Sequence, residues 1–393
     1  MAGKNSGKIV FIFFLLAFII RIIFVFSLKT KFYFDDEYEY WKIVNNFITG
    51  KGLMVSETLK AYRPPLYPLF LVLFAKLNTG ITGIRIVQAL LSSVSCIFIY
   101  FLARKVFNEK IAIFSLAISS VYPFFIFYSG FLLTETLFIF LVICCIYAFI
   151  KLAESRVSPV YGFIPGIFAG LAGLCRPTME LFFPFCLLFT ILSKASCVVK
   201  FKKIVFAMAG FIIILTPWII RNFIVLGSFV PGTTMGGAVF WEGNNPYSDG
   251  GPCRYFPEGV WQIEESKRDQ VFYKLTIDCI KQNPKRFAWL LWNKFIRFWN
   301  VVPNASEYTK TIYRIISIFS FGLMLPFFVL GIFVSPRNLN TLFLTGMIVF
   351  FTVFHMIFLA SIRYRVAIEP FVIMFASSGF LWIFNRLHCQ RKT

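Results

Sequence analysis

Ten stretches of this sequence are continuously apolar and near the length of a membrane-crossing helix: residues 9–28, 84–103, 111–128, 133–150, 160–175, 179–193, 203–220, 311–334, 340–360 and 366–385. A helix needs roughly 20 such residues to cross the hydrocarbon core. The runs are unbroken rather than alternating, which argues against a closed β-barrel. A soluble domain could not hide 53 phenylalanines in 393 residues that are 58% hydrophobic. The sequence therefore predicts an all-α, polytopic membrane helix bundle of about ten spans, within a range of roughly 9–12. It forms one integral-membrane domain over residues 1–393. The first run follows a weakly basic tail (Lys4, Lys8) but is too long for a signal-peptide core. No small-x-small cleavage site follows it, so it reads as a retained first helix.

The formal net charge of +21 would suit a nucleic-acid binder only if a soluble basic surface existed, and none is evident. A topology explains the charge better. With the N-terminus inside, the short inner loops 1–8, 104–110, 151–158, 194–203, 335–339 and 386–393 carry fifteen Lys or Arg and two acids, Glu109 and Glu154. That is the positive-inside pattern, read where it is valid. Both termini are then cytoplasmic. The other sixteen acids lie outside or at outer span ends, thirteen of them in two long outer loops, residues 29–83 and 221–310.

The first outer loop opens with FDDEYEYW, Phe34 to Trp41, four acids within five residues at the edge of the membrane. A solvated loop would account for charge alone. The position at the start of an amphipathic stretch, Asp36–Ile48, where a helix dipole favours carboxylates, points further. So do the interleaved Tyr33, Tyr38, Tyr40 and Trp41. A carboxylate there could serve as general base for a hydroxyl or amine. Asp36 is the first candidate and Asp35 the neighbour that could replace it, while Glu37 and Glu39 are expected to turn away from Asp36. In YRPPLYPLF, Pro64 and Pro65 open a second short helix, Leu66–Leu77, with Arg63 just before it. An arginine beside free helix N–H groups makes a phosphate seat, and Tyr62 and Tyr67 stand alongside as candidate substrate contacts. Both short helices are expected to lie along the outer membrane surface.

Glu135 starts a span in FLLTETLF, where it is either a dipole acid beside Thr134 or a second carboxylate facing the same outer cavity. Arg176, Arg221, Arg363 and Arg365 fall at outer ends, which the charge rule disfavours, so each asks for an anionic partner. Arg21 lies within the first span, where a charge is costly and reads as functional unless it snorkels. In the second outer loop, helices are expected over Glu264–Gln282 and Pro284–Trp299, the latter interfacial because FAWLLWNKFIRFW mixes aromatic and basic residues.

The nine cysteines do not form a disulfide framework; only Cys253 and Cys279 share an outer loop and could pair. Two distant histidines make a His-based metal site a poor expectation. No cofactor is called for; the outer acids could bind a divalent cation, but no ligand spacing demands it. Asn304-Ala305-Ser306 is an outer-side glycosylation sequon, without consequence in a bacterial host.

Taken in order, FDDEYEYWKIVNNFITGKG, RPPLYPLFL, LTETLF, GIFAGLAGLCRPT, PWIIRNFIVLGSFVP and RYRVAIEP form a pattern. It resembles the GT-C membrane glycosyltransferases, in particular bacterial relatives of the protein O-mannosyltransferases and of the lipid A aminoarabinose transferase. The resemblance runs from residue 9 to about 380. It implies transfer of one sugar, with inversion, from a polyprenyl-phosphate carrier to an acceptor on the outer face of the bacterial inner membrane. The family's first-loop acid falls on Asp36, its carrier-phosphate cation on Arg63, its fourth-span acid on Glu135 and its C-terminal basic pair on Arg363 and Arg365. The acceptor, whether lipid, glycan or protein, is left open. The rival readings are a ligase or polymerase of lipid-linked glycans, and a transporter or flippase of lipid-linked sugars. The second predicts inverted repeats and mid-membrane polar sites, which the sequence does not show.

Overall fold

A computed structural model describes residues 2–154, 157–303 and 311–390. Among these the chain is helical throughout, with no strand beyond an isolated bridge between Ser56 and Leu59. The sequon at 304–306 lies outside the described residues. The helices are α1 (Ala2–Ser27), α2 (Asp35–Ile48), α3 (Leu66–Lys76), α4 (Gly80–Val106), α5 (Glu109–Val121), α6 (Pro123–Ser129), α7 (Glu135–Leu152), α8 (Phe163–Cys175), α9 (Thr178–Ile191) and α10 (Cys197–Leu226). They continue with α11 (Gly236–Glu242), α12 (Glu265–Gln282), α13 (Pro284–Trp299), α14 (Thr311–Ser317), α15 (Leu323–Val334), α16 (Leu339–Ile357), α17 (Ile362–Arg365) and α18 (Glu369–Gln390).

All ten apolar runs fall on helices, but not all are of crossing length. Among the described residues seven helices are long and apolar enough to span a bilayer, with 311–334 counted as one, or eight if the bent pair α5–α6 also counts as one. The expected count of about ten included the stretches that became 159–175 and Thr178–Ile191, which are shorter. The α5–α6 bend of 50° sits at Tyr122–Pro123. Pro123 cannot donate to the ladder and pushes Tyr122 into an extended conformation.

Local chemistry sets the ends. Asn108 caps α5 by accepting from the Ile111 amide, and Asn283 caps α13 from Arg286, with Pro284 at its first position. Gly227 closes α10 in the left-handed region, φ +63°. Close helix pairs are made by small residues. On α8, Gly166 lies so near α10 that a Cβ would sit 2.1 Å from the Ala207 carbonyl oxygen. One turn away Gly162 meets the Lys203 carbonyl, and Gly210 of α10 meets that of Phe163. The helix α7 is the most enclosed of the spans and α1 among the least, so the bundle is built around α7.

The two long loops clasp each other. Glu265 of α12 accepts from the Lys60 and Ala61 amides and the Thr234 hydroxyl. Arg268 donates to the Thr58 carbonyl, Arg221 to those of Leu53 and Lys60, and Thr233 to that of Tyr62. Cys253 and Cys279 are free thiols, so the pairing left open above does not form. The helices expected over 264–282 and 284–299 are present to within a residue.

Candidate active site

The acidic stretch starts α2, with Asp35, Asp36 and Glu37 in its first turn and Glu39 just after it. Asp36 turns inward. Its Oδ1 receives Arg63 Nη2 at 2.6 Å and its Oδ2 receives Arg363 Nη1 at 2.5 Å. Arg63 comes from the segment ahead of α3, and Arg363 from α17. Positions 36 and 39 share a helix face, so Glu39 also binds Arg63, through Nε at 2.9 Å and through Nη2. Arg63 lies over the rings of Tyr40 and Tyr62, each 5.4 Å from its guanidinium carbon.

Glu135, at the first position of α7, closes the other side. Its Oε1 is shared by Arg363 Nε and Arg176 Nη2, the latter at 2.7 Å. Arg176 also donates to the Thr134 hydroxyl, 2.8 Å. The other oxygen of Glu135, Oε2, is buried without a partner. Asp36, Glu39 and Glu135 thus alternate with Arg63, Arg363 and Arg176 in one chain of contacts. Burial alone would raise the affinity of Asp36 for a proton. The guanidiniums of Arg63 and then Arg363 outweigh it and hold the carboxyl well below the usual range. Arg63 and Arg363 are held charged by the same partners despite burial.

Of the residues expected from the sequence, the structure brings together Asp36, Arg63, Tyr62, Glu135, Arg176 and Arg363. It places the others elsewhere. Asp35 is exposed and meets only Arg254, at 3.6 Å. Arg21 is fully enclosed and donates to Ser92 Oγ and to the carbonyls of Ala17, Ser119 and Ser120. Its charge is solvated by helix ends and a hydroxyl, so it ties α1 to α4 and α5 instead of facing a ligand. Arg221 is taken up by loop carbonyls. Arg365 pairs with Glu369 at 3.0 Å and with the carbonyls of Phe298 and Asn300, on the far side of α17 from Arg363. Tyr67 is buried and spends its hydroxyl on Gln88, 2.7 Å.

Of the two expectations about neighbouring acids, one fails. Glu39 was expected to turn away and instead shares Arg63 with Asp36, since three residues make nearly one helical turn. Glu37 does turn away, but into the protein. It is 0% exposed and accepts from the amides of Tyr33, Phe34 and Leu132 at 2.6, 3.1 and 2.8 Å. The sequence reading also missed Glu242, at the end of α11, and Tyr364. Both lie within electrostatic reach of Asp36. Tyr364 could have been found inside the RYR motif; no sequence signal marks Glu242. Among the described residues no group of three or more His, Cys, Asp or Glu is gathered as a metal site.

A family model described as dolichyl-phosphate-mannose-protein mannosyltransferase matches residues 62–220. A search of curated proteins finds no match. Among solved structures, the chain is similar to the archaeal oligosaccharyltransferase AglB from Archaeoglobus fulgidus in complex with an inhibitory peptide and a dolichol-phosphate. The TM-score is 0.65 at 14% identity, covering 99% of this chain and 51% of that one. The apo form of the Archaeoglobus fulgidus oligosaccharyltransferase gives 0.64 at 14% identity, over 100% and 52%. ArnT from Cupriavidus metallidurans bound to undecaprenyl phosphate gives 0.46 at 12% identity, over 97% and 78%. The chain spans about half the length of the oligosaccharyltransferase it matches.

Proposed function

Starting from a GT-C glycosyltransferase fold, we propose that the chain moves a single sugar from a polyprenyl-phosphate carrier to an acceptor on the outer face of a bacterial plasma membrane. The observation that carries this is Asp36 held between Arg63 and Arg363, beside Glu135 and Arg176. A base and a set of cations in one place are what such a transfer needs.

The chemistry follows from these residues. The carrier phosphate draws on Arg63 and Arg363. As their charge is shared, the hold on Asp36 loosens and its affinity for a proton rises. The acceptor hydroxyl or amine attacks the anomeric carbon from the side opposite the phosphate, and the bond from that carbon to the phosphate oxygen breaks. The proton passes to Asp36. The electron pair leaves on the phosphate, whose added negative charge the guanidiniums stabilise. Arg176 keeps Glu135 from claiming Arg363 alone. No metal enters this scheme.

The remaining placements belong to the same reading. The short helices α2 and α3 lie along the outer surface, the termini are cytoplasmic, and helices 159–175 and α9 complete the bundle as the short members of about ten spans. A lipid donor reaches such a site sideways from the bilayer, which is why it stands at the membrane rim. The oligosaccharyltransferase structure containing dolichol-phosphate supports a lipid-phosphate ligand for this fold. The experiment is transfer from a radiolabelled polyprenyl-phosphate sugar by the full chain in detergent. Label appearing on an acceptor, or in water as free sugar, is expected. An intact donor alongside movement of lipid-linked sugar across vesicles would overturn the reading in favour of a flippase.

A further inference from the structure

The loop between α11 and α12 carries groups that the transfer chemistry does not use. Tyr247 and Tyr255 form an edge-to-face pair with ring centroids 4.4 Å apart, yet they are 69% and 47% exposed. Their backbones are tied to the neighbouring chain. The Tyr255 carbonyl accepts from Trp241 Nε1 at 2.6 Å, the Tyr247 amide donates to Asn245 Oδ1 at 3.0 Å, and Asn245 also holds the Cys253 carbonyl. Aromatic rings fixed on a surface by their backbones are a prepared contact face, because little freedom remains to be lost on binding.

This face leads to the transfer centre. Arg254, between Cys253 and Tyr255, reaches Asp35, the residue before Asp36. One residue from Trp241 stands Glu242, half-buried, whose carboxylate has no hydrogen bond or ion pair among the described residues. It lies within electrostatic reach of Arg254, Arg63 and Asp36. Burial first, and the charge of Asp36 after it, raise its affinity for a proton against the pull of Arg254 and Arg63. A carboxyl of this kind, unpaired in a site of paired charges, lacks the hydrogen bonds that a polar ligand would supply.

We propose that Tyr247, Tyr255 and Glu242 form the acceptor subsite, and that the acceptor is a carbohydrate headgroup. The C–H faces of a sugar ring suit the exposed tyrosine rings, and its hydroxyls suit Glu242 and Arg254. A peptide would ask for backbone partners, and four carbonyls of this loop, those of Asn244, Asn245, Pro246 and Ser248, already accept from Arg286. The proposal rests on the glycosyltransferase reading, and its test separates the two.

The full chain in detergent is titrated with three probes: glucosamine oligosaccharides, mannose oligosaccharides and a Ser/Thr-rich peptide. Binding is followed by tryptophan fluorescence, since Trp241 and Trp261 lie in this loop region. One oligosaccharide series is expected to saturate the signal and the peptide is not. Tyr247→Ala and Tyr255→Ala should each weaken that binding about five- to tenfold, in line with the loss of one aromatic contact. Glu242→Gln should weaken it as well, and Tyr247→Phe should restore most of it. Binding of polyprenyl phosphate in each variant reports that the fold is kept. Saturation by the peptide, no saturation by either saccharide, or unchanged binding in both alanine variants overturns the proposal. Saccharide binding by a wild-type chain that never cleaves a polyprenyl-phosphate sugar leaves the subsite standing and removes the glycosyltransferase reading instead.

Discussion

At the scale of single residues, four neighbouring acids have four different fates, and only one stands at the centre. Asp36→Asn keeps size but removes the base. Transfer should fall by about a hundredfold to ten-thousandfold, measured as radiolabel moved per minute, with donor binding retained. Asp35→Asn should cost little by the same assay, since Asp35 is exposed and meets only Arg254. Equal effects in the two variants would remove the catalytic assignment. Glu37→Gln should lower thermal stability by about 1–3 kcal/mol while sparing the proposed transfer by correctly folded protein. Both Glu37 oxygens accept backbone amides, and an amide nitrogen would face one of those N–H groups. From the sequence, Glu37 was expected only to turn away from Asp36. An acid in an acidic run looks solvated, and only the fold brings the Leu132 amide, ninety-five residues away, to meet it. The same limit applied to Arg21 and Arg365. Their charge was visible in apolar surroundings, but the carbonyls and carboxylate that satisfy it were not.

At the scale of elements, the sequence was most legible where periodicity and end signals agree. The helix Pro284–Trp299 begins at its proline as expected, and Asp36–Ile48 begins one residue early, at Asp35. Length was less legible. The break at Pro123 and the shortness of 159–175 and α9 turn a count of ten apolar runs into seven or eight helices of crossing length among the described residues. Hydropathy reports burial from water, whether in lipid or in protein, and does not separate a full span from a short buried helix. Gly166 and Gly170 of GIFAGLAGLC had a further meaning, as the face on which α8 meets α10. Gly166→Val should therefore cost about 1–3 kcal/mol or prevent folding, because the new Cβ meets backbone that no rotamer can relieve. The check is the melting temperature in detergent, with Gly259→Ala as a comparison at a solvent-exposed left-handed glycine, where backbone strain is the only cost. A Gly166→Val melting temperature at or above that of Gly259→Ala would contradict close α8–α10 contact.

At the scale of the whole molecule, charge is sorted along the bundle. Glu109 and Glu154 pair with Arg104, Lys105 and Lys151 at one end, while the clasped loops and the alternating cluster occupy the other. With the positive-inside rule this supports the proposed orientation. In intact cells, a cysteine introduced at Tyr247 should react with a membrane-impermeant maleimide, and one introduced at Lys110 only after lysis. The reverse pattern would invert the topology. The clasp itself was not legible: Glu265 and Ala61 are remote in sequence, and nothing in either segment names the other.

Each arginine of the cluster is held by carboxylate: Arg63 by Glu39 and Asp36, Arg363 by Asp36 and Glu135, and Arg176 by Glu135. Under the proposed chemistry this bears on turnover more than on capture. The spent carrier leaves as a phosphate with one more negative charge than the donor had, so arginines that favour the bond-breaking step also favour keeping the product. Glu39 and Glu135 are built-in competitors for those arginines, and they can take them back. Their work is then to shorten the residence time of spent carrier. An enzyme with Glu39→Gln should bind its donor more tightly yet run slower at steady state, with inhibition by added polyprenyl phosphate setting in at lower concentration.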